Sequence, residues 1–335
     1  MSDSPTELVH GGDLDSARKR HPEAGNSWLD LSTGINPWPY PIPAMPDDAW
    51  QRLPGRQAQD ELLQAARLAY DLAPEAGLTA APGTQLLIQL LPRLFEPTNV
   101  EITGFTYGEH QRCWALAGHK VAIRAPEAPL SEAARIRIVT RPNNPDGRIL
   151  PRETLMDWAD RLAERDGLLV VDEAFADVIP ECSLAPEANH PGLCILRSFG
   201  KFFGLAGLRL GFALGAPALQ ERLTVALGPW AVAGPALAIG RAALADLQWS
   251  AETRQALQRQ SQHLDEVLQR AGLEILGGTS LFRLSAHDSA SRIAEDLAAQ
   301  GILVRSFPEE PHWLRFGLPP DEGALDRLTR ALPHG

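Results

Sequence analysis

The 335-residue sequence predicts an α/β fold, with a mostly parallel open sheet in a large domain and a smaller α+β domain toward the carboxyl end. Three observations carry this expectation. Between residues 57 and 200, short β-rich runs alternate with helical stretches of about 10 to 15 residues, the rhythm of parallel strands joined by crossover helices. After Trp230 the rhythm changes to longer helices with isolated strands. A hydrophobic content of 44% against 22% charged is enough, at this length, to bury a sizeable core.

The elements follow in chain order. Gly11, Gly12, Gly25, Gly34 and the prolines at 37, 39, 41, 43 and 46 interrupt any periodic pattern, which predicts an irregular arm over residues 1–48. Helical spacing appears over 60–68, a short strand over 78–81, and Gly83-Thr84 opens an apolar helix over 85–95. Strands are expected at 100–103, 120–123, 137–140, 168–171 and 194–197, with helices through 114–117 and over 152–165, so that residues 49–229 form the large domain. Residues 230–335 form the small one, with helices over 251–271 and 293–300 and strands at 281–284, 302–305 and 313–316. In an open sheet of this kind ligands bind at the carboxyl ends of the strands.

Thirty-one basic residues against 42 acidic ones give a net charge of −11, which argues against nucleic acid as a partner. Cys113, Cys182 and Cys194 form no Cys-x-x-Cys pair, and the nine histidines lack ligand-like spacing, so neither a disulfide framework nor a metal site is expected. The first fourteen residues are polar and no stretch reaches about 18 apolar residues, so the expectation is a soluble cytoplasmic protein without a membrane partner. Only Lys19, Lys120 and Lys201 are lysines. Chemistry that needs a primary amine has three candidates.

Val170-Val171-Asp172-Glu173-Ala174-Phe175 places a carboxylate where a buried strand emerges, although a strand-end Asp can also be a simple helix cap. Arg197-Ser198-Phe199-Gly200-Lys201-Phe202-Phe203-Gly204 places a lysine just past the next strand. Phe199, Phe202 and Phe203 would desolvate its ammonium, a setting that suits Schiff-base chemistry with a carbonyl compound. Arg209 follows among glycines that let backbone approach a ligand closely. Upstream, Arg141-Pro142-Asn143-Asn144-Pro145-Asp146-Gly147 reads as a turn in which Pro145 holds Asn144 extended with its amide aimed outward.

Taken in order, Pro-Asn-Asn-Pro-Asp-Gly, Asp-Glu-Ala-Phe, Ser-Phe-Gly-Lys and Gly-Leu-Arg-Leu-Gly resemble the fold type I pyridoxal-phosphate enzymes, the aspartate aminotransferase superfamily. The resemblance implies that Lys201 carries pyridoxal 5′-phosphate as a Schiff base, that Asp172 pairs with the pyridinium nitrogen and that Asn144 bonds the phenolic oxygen. It implies that Ser198, Arg209 and the helix start at Gly83 and Thr84 bind the cofactor phosphate. Tyr107 matches the ring-stacking position. The sequence departs from the family at Gly200, where Ser or Thr is common, at Phe175, where many members have Tyr, and at Leu53, where many have a Tyr reaching across a dimer interface.

His10-Gly11-Gly12, then Leu29-Asp30-Leu31-Ser32-Thr33-Gly34-Ile35-Asn36-Pro37, together with Ala81-Pro82-Gly83-Thr84-Gln85, resemble the threonine-phosphate decarboxylases of cobalamin biosynthesis. That group converts L-threonine O-3-phosphate to (R)-1-amino-2-propanol O-2-phosphate. The resemblance implies that Arg315 binds the substrate carboxylate, that Arg305, Asn36, Gly34 and His10 contact its anionic groups, and that the arm shields the site from water. It also implies a homodimer. Two other readings stay open: an aminotransferase of a phosphorylated amino compound such as histidinol phosphate, and a catalytically silent protein of the same fold that serves as a scaffold.

Overall fold

The structure is a computed structural model that describes residues 10–333. In chain order the strands are β1 (Leu29–Asp30), β2 (Gly77–Ala81), β3 (Asn99–Thr103), β4 (Lys120–Arg124), β5 (Ile136–Thr140), β6 (Leu168–Asp172), β7 (Leu193–Ser198), β8 (Gly211–Gly215), β9 (Glu274–Thr279), β10 (Phe282–Ala286), β11 (Ile302–Leu303), β12 (Arg305–Ser306) and β13 (Trp313–Gly317). The chain divides into two compact units, one of residues Trp38–Thr253 and the other of the segments that end at Pro37 and begin at Arg254. These compact units are a different division from the regions expected to meet at 48/49 and 229/230. The strand β1 of the arm pairs with β11 and so belongs with the carboxyl-terminal segment, and the second boundary lies inside the helix Leu247–Arg270.

The 38–253 unit holds a seven-stranded sheet in the order β2-β8-β7-β6-β5-β3-β4. Strands β3 to β7 run parallel, and β8 is antiparallel to both of its neighbours. Alternation along each strand explains the core: Val100 and Ile102, Ile136 and Ile138, Leu168 and Val170, and Cys194 and Leu196 share one face. There they join Leu87, Ile88, Trp114, Leu219 and Leu223 from the helices Thr84–Leu90, Gly108–Leu116 and Pro217–Leu227. Three buried thiols take part in this unit. Burial and the nearby Glu109 push Cys113 up to about 11, burial and Glu173 push Cys182 up to about 12, and burial alone pushes Cys194 up to about 12.

The opposite face carries charge. Glu101 on β3 accepts from Arg137 Nη1 of β5 and from Arg124 Nε of β4, both at 2.8 Å, while Arg137 Nε donates to Thr103 Oγ1 at 2.8 Å. The Arg137 guanidinium is fully buried and lies 4.5 Å from the centre of the Trp158 ring. Burial alone would raise the Glu101 carboxyl, but hydrogen bonds from Ser131, Arg124 and Arg137 outweigh it and hold it below the ordinary range.

The other unit contains the antiparallel sheet β12-β13-β10-β9, the parallel pair β1-β11 and the helices Ala290–Ala299 and Glu322–Ala331. Several sequence expectations are corrected. The arm is not wholly irregular: Asp13 caps a helix Leu14–Arg20 by accepting from Ser16 N at 3.0 Å. The helix expected over 85–95 spans Thr84–Leu90 and tightens to a 3₁₀ turn, Leu91–Leu94, at Pro92, which has no N–H to continue the α ladder. The run 302–305 splits at Val304 into β11 and β12, which join different sheets. Strands β8 and β9 were not expected, because both are rich in glycine.

Replacing Glu101 by alanine strands the buried Arg137 cation and is expected to lower stability by about 3–5 kcal/mol, measured by urea unfolding. Arg124→Ala removes only the half-exposed arm of the same network and is expected to change stability by no more than about 1 kcal/mol.

Candidate active site

Strand register gathers the expected residues at one edge of the large sheet. Thr140 stands beside Asp172, Asp172 beside Leu196, Ser198 beside Gly211, and Gly211 beside Ala81. The segments leaving or entering the sheet here carry Gly83, Thr84, Asn144, Asp172, Ser198, Lys201 and Arg209. Asp172 ends the wholly buried strand β6. Its Oδ1 accepts from Ala174 N at 3.0 Å, and its Oδ2 lies 2.8 Å from His110 Nε2, so both oxygens are fixed from behind.

Lys201 sits in a one-turn helix, Phe199–Phe202, with Phe199, Phe202 and Phe203 buried around it. Its Nζ lies 5.8 Å from the centre of the buried Phe175 ring. Asn144 is half-buried in a turn pinned by its neighbour, since Asn143 Nδ2 donates to Phe105 O at 3.0 Å and to Asp146 Oδ1 at 2.8 Å. Tyr107 donates to Gln85 Oε1 at 3.0 Å and meets His110 edge-on, with ring centres 6.1 Å apart. Burial, Glu109 and Asp172 hold its hydroxyl well above the usual tyrosine range, so the ring stays neutral.

Beside these side chains the backbone leaves a cradle. Gly83 has φ +84°, and a Cβ there would stand 2.5 Å from Arg209 Nη2. A Cβ on Gly211 would stand 2.5 Å from Thr84 N. Arg209 takes the left-handed conformation, φ 52°, and its Nη1 donates to Ala206 O at 3.1 Å, which turns the exposed guanidinium over the start of the helix Thr84–Leu90. A guanidinium, a helix start and the Ser198 hydroxyl suit a phosphate group. With a buried carboxylate, a lysine in an apolar setting and a tyrosine ring, the donor set fits pyridoxal phosphate.

The remaining expected residues lie in the other unit. Arg315 on β13 is buried, donates from Nη2 to Ser32 O at 2.6 Å and lies 5.2 Å from the centre of the Phe282 ring. Burial and the neighbouring Arg305 press its guanidinium below the ordinary range, and Asp30 opposes them. Arg305 is half-buried over Phe307 and is lowered by burial. Asn36 and Gly34 are buried, and Asn36 lines a cavity of about 310 Å³ together with Trp28, Asp30, Thr33, Ile35 and Gly317. His10 is exposed.

Residues 47–332 match the profile of the aminotransferase class I and II family. The chain belongs to this family. Among its relatives, the threonine-phosphate decarboxylases of Pseudomonas aeruginosa and of a Sinorhizobium species are each 45% identical to it, and in both cases the similarity covers 97% of each chain. The crystal structure of histidinol-phosphate aminotransferase from Sinorhizobium meliloti, in complex with pyridoxal-5′-phosphate, superposes with a TM-score of 0.82 at 22% identity over 98% of this chain and 94% of that one. That likeness establishes the aminotransferase fold.

The structure gives physical reasons for this family member's departures. A Cβ on Gly200 would stand 2.7 Å from Ala206 Cα, so the backbone crossing behind Lys201 leaves no room for Ser or Thr. Phe175 is buried against Lys201, where a hydroxyl would need its own partner. Leu53 is 67% exposed. Sequence reading missed His110 and the ion cluster behind the site. Arg197, one residue before Ser198, is buried and bonds Glu173 Oε2 at 2.9 Å and also Asp177. Burial works against its charge, but Asp177 and Glu173 outweigh burial and hold the guanidinium above its ordinary range. A signal was present, since Arg197 and Glu173 are charges at the ends of apolar strands, and His110 lies one helical turn from Tyr107.

Gly200→Ser is expected to cost about 1–3 kcal/mol through overpacking, seen as a lowered thermal midpoint. The cofactor absorbance of the variant is expected to fall in parallel, because Ala206 cannot move without shifting the turn that carries Arg209.

Proposed function

We propose that the protein is a pyridoxal-phosphate-dependent carboxy-lyase that converts L-threonine O-3-phosphate to (R)-1-amino-2-propanol O-2-phosphate and carbon dioxide. The observation that carries this reading is the 45% identity to two threonine-phosphate decarboxylases over 97% of each chain, arm included. The product would serve cobalamin biosynthesis in the cytoplasm. In functional terms the chain comprises an arm (1–48), a cofactor-binding region (49–229) and a carboxyl-terminal region (230–335).

When bound, pyridoxal phosphate accepts the electron pair that carbon dioxide leaves behind at Cα. Lys201 Nζ holds the cofactor covalently, and Asp172, oriented by His110 and Ala174 N, keeps a proton on the pyridine nitrogen. Asn144 would bond the phenolic oxygen and Tyr107 would stack on the ring. Gly83, Thr84, Ser198 and Arg209 take the cofactor phosphate. Arg315, Arg305, Asn36, Gly34 and His10 bind the substrate's carboxylate and phosphate, and a buried arginine pressed down by its own desolvation gains most from an anionic partner. Lys201 Nζ, released when the substrate amine takes its place on the cofactor, would carry the proton that replaces carbon dioxide at Cα. The large exposed side chains Trp50 and Leu53 support a homodimer that would cover them.

Incubation of the holoenzyme with L-threonine O-3-phosphate is expected to release carbon dioxide and aminopropanol phosphate in equal amounts without an oxo-acid acceptor. Obligate dependence on such an acceptor would identify an aminotransferase instead. Borohydride reduction followed by peptide mapping is expected to place the pyridoxyl label on Lys201, and Lys201→Ala is expected to lose both label and turnover. A Lys201→Ala protein as active as the wild type would sink the assignment of Lys201 as the cofactor's anchor.

A further inference from the structure

We propose that Asp30 is a positioning residue that acts through Ser32 to set both Arg315 and the Gly11–Gly12 turn for binding the substrate's anionic groups. The inference rests on the decarboxylase reading, in which Arg315 and the arm take those groups.

Asp30 ends β1, and its Oδ1 accepts twice from Ser32, from the backbone N at 2.9 Å and from Oγ at 2.6 Å. The second bond decides the direction of the serine hydroxyl. Because an ionised carboxylate can only accept, the Ser32 proton points to Asp30 and the oxygen lone pairs are left for Gly12 N, which donates to Ser32 Oγ at 2.7 Å. The carbonyl of the same serine accepts from Arg315 Nη2 at 2.6 Å. One residue therefore faces the turn beside His10 with its hydroxyl and the buried arginine with its carbonyl.

The surrounding packing leaves this residue little freedom. A Cβ on Gly11 would stand 2.3 Å from Ser32 O, and a Cβ on Gly317 would stand 2.3 Å from Thr33 O. Gly317 N donates to Leu31 O at 2.7 Å, so residues 31–33 are clasped between the Gly11–Gly12 turn and the end of β13. Asp30 also contributes charge. Among the groups acting on Arg315, burial and Arg305 disfavour its cation and Asp30 favours it. The carboxylate thus supports the arginine through its charge while its Oδ1 is bonded to Ser32.

The test measures Kd for inorganic phosphate by calorimetry on holoenzyme, together with kcat and KM for L-threonine O-3-phosphate. Asp30→Ala is expected to raise Kd and KM about tenfold, the scale of a lost hydrogen bond to a charged group, while kcat and cofactor absorbance change far less. Asp30→Asn keeps an acceptor for Ser32 and is expected to recover part of the loss. Ser32→Ala is expected to weaken binding similarly, and the double variant Asp30→Ala/Ser32→Ala to bind no more weakly than the worse single one, because the two act in series. Unchanged affinity in Asp30→Ala, or losses that simply add, would overturn the proposal. Wild-type protein that binds inorganic phosphate but releases no carbon dioxide from threonine phosphate would overturn the decarboxylase reading alone, with Asp30 still judged from the binding series. Wild-type protein that neither binds inorganic phosphate nor turns over threonine phosphate would overturn both.

Discussion

The close approach of Gly211 to Thr84 is the constraint on which the large unit's site depends. Strand β8 runs against the direction of its neighbours and begins where β2 and β7 end, so three chain segments meet at one sheet edge. A side chain at Gly211 would collide with the backbone of Thr84, and one at Gly83 would collide with Arg209. Glycine at these two positions allows a guanidinium and a helix start to approach the same small volume. Any shift of β8 would displace Arg209 from Gly83 and the Lys201 turn from Ala206 together.

Behind that edge the protein keeps charge out of water on purpose-built terms. Asp172 has one partner from its own loop and one from the helix Gly108–Leu116, so its orientation does not depend on a ligand. Arg197 is shared between Glu173 and Asp177, with the Tyr70 ring 4.3 Å from the guanidinium carbon and Ser183 Oγ donating to Glu173 Oε2 at 2.6 Å. This cluster ties the segment after β6 to β7, and that segment carries Phe175 beneath Lys201. Buried ion pairs contribute little net stability against apolar substitutes, but losing one member is costly, which makes such a cluster a fixed reference for neighbouring groups.

What the sequence reveals follows the range of the interactions. Lys201, Asp172, Arg209 and Gly83 are legible because each is announced by its immediate neighbours: a strand run, an aromatic setting or a glycine. His110 is not, because its partner Asp172 is 62 residues away and only the parallel sheet brings them together. The same applies to β1, a two-residue strand that exists because Ile302–Leu303 lies beside it. Strand β8 escapes notice for a different reason. Gly211-Phe212-Ala213-Leu214-Gly215 has the composition of a loop, and its small residues are demanded by neighbouring backbone rather than by strand preference. Pro92 shortens the predicted helix by removing one donor, a local effect that the apolar pattern around it masks.

The three thiols of the core bear on the selectivity of an aldehyde cofactor. An aldehyde reacts with thiolates as well as amines, yet Cys113, Cys182 and Cys194 are buried and pushed up to about 11, 12 and 12, and so remain protonated and inert at neutral pH. Lys19 and Lys120 are the only other primary amines on side chains and both stand exposed, the first on the helix Leu14–Arg20 and the second at the start of the edge strand β4. Competitors for an aldehyde are thus few along this chain, and the thiols inside the fold are silenced.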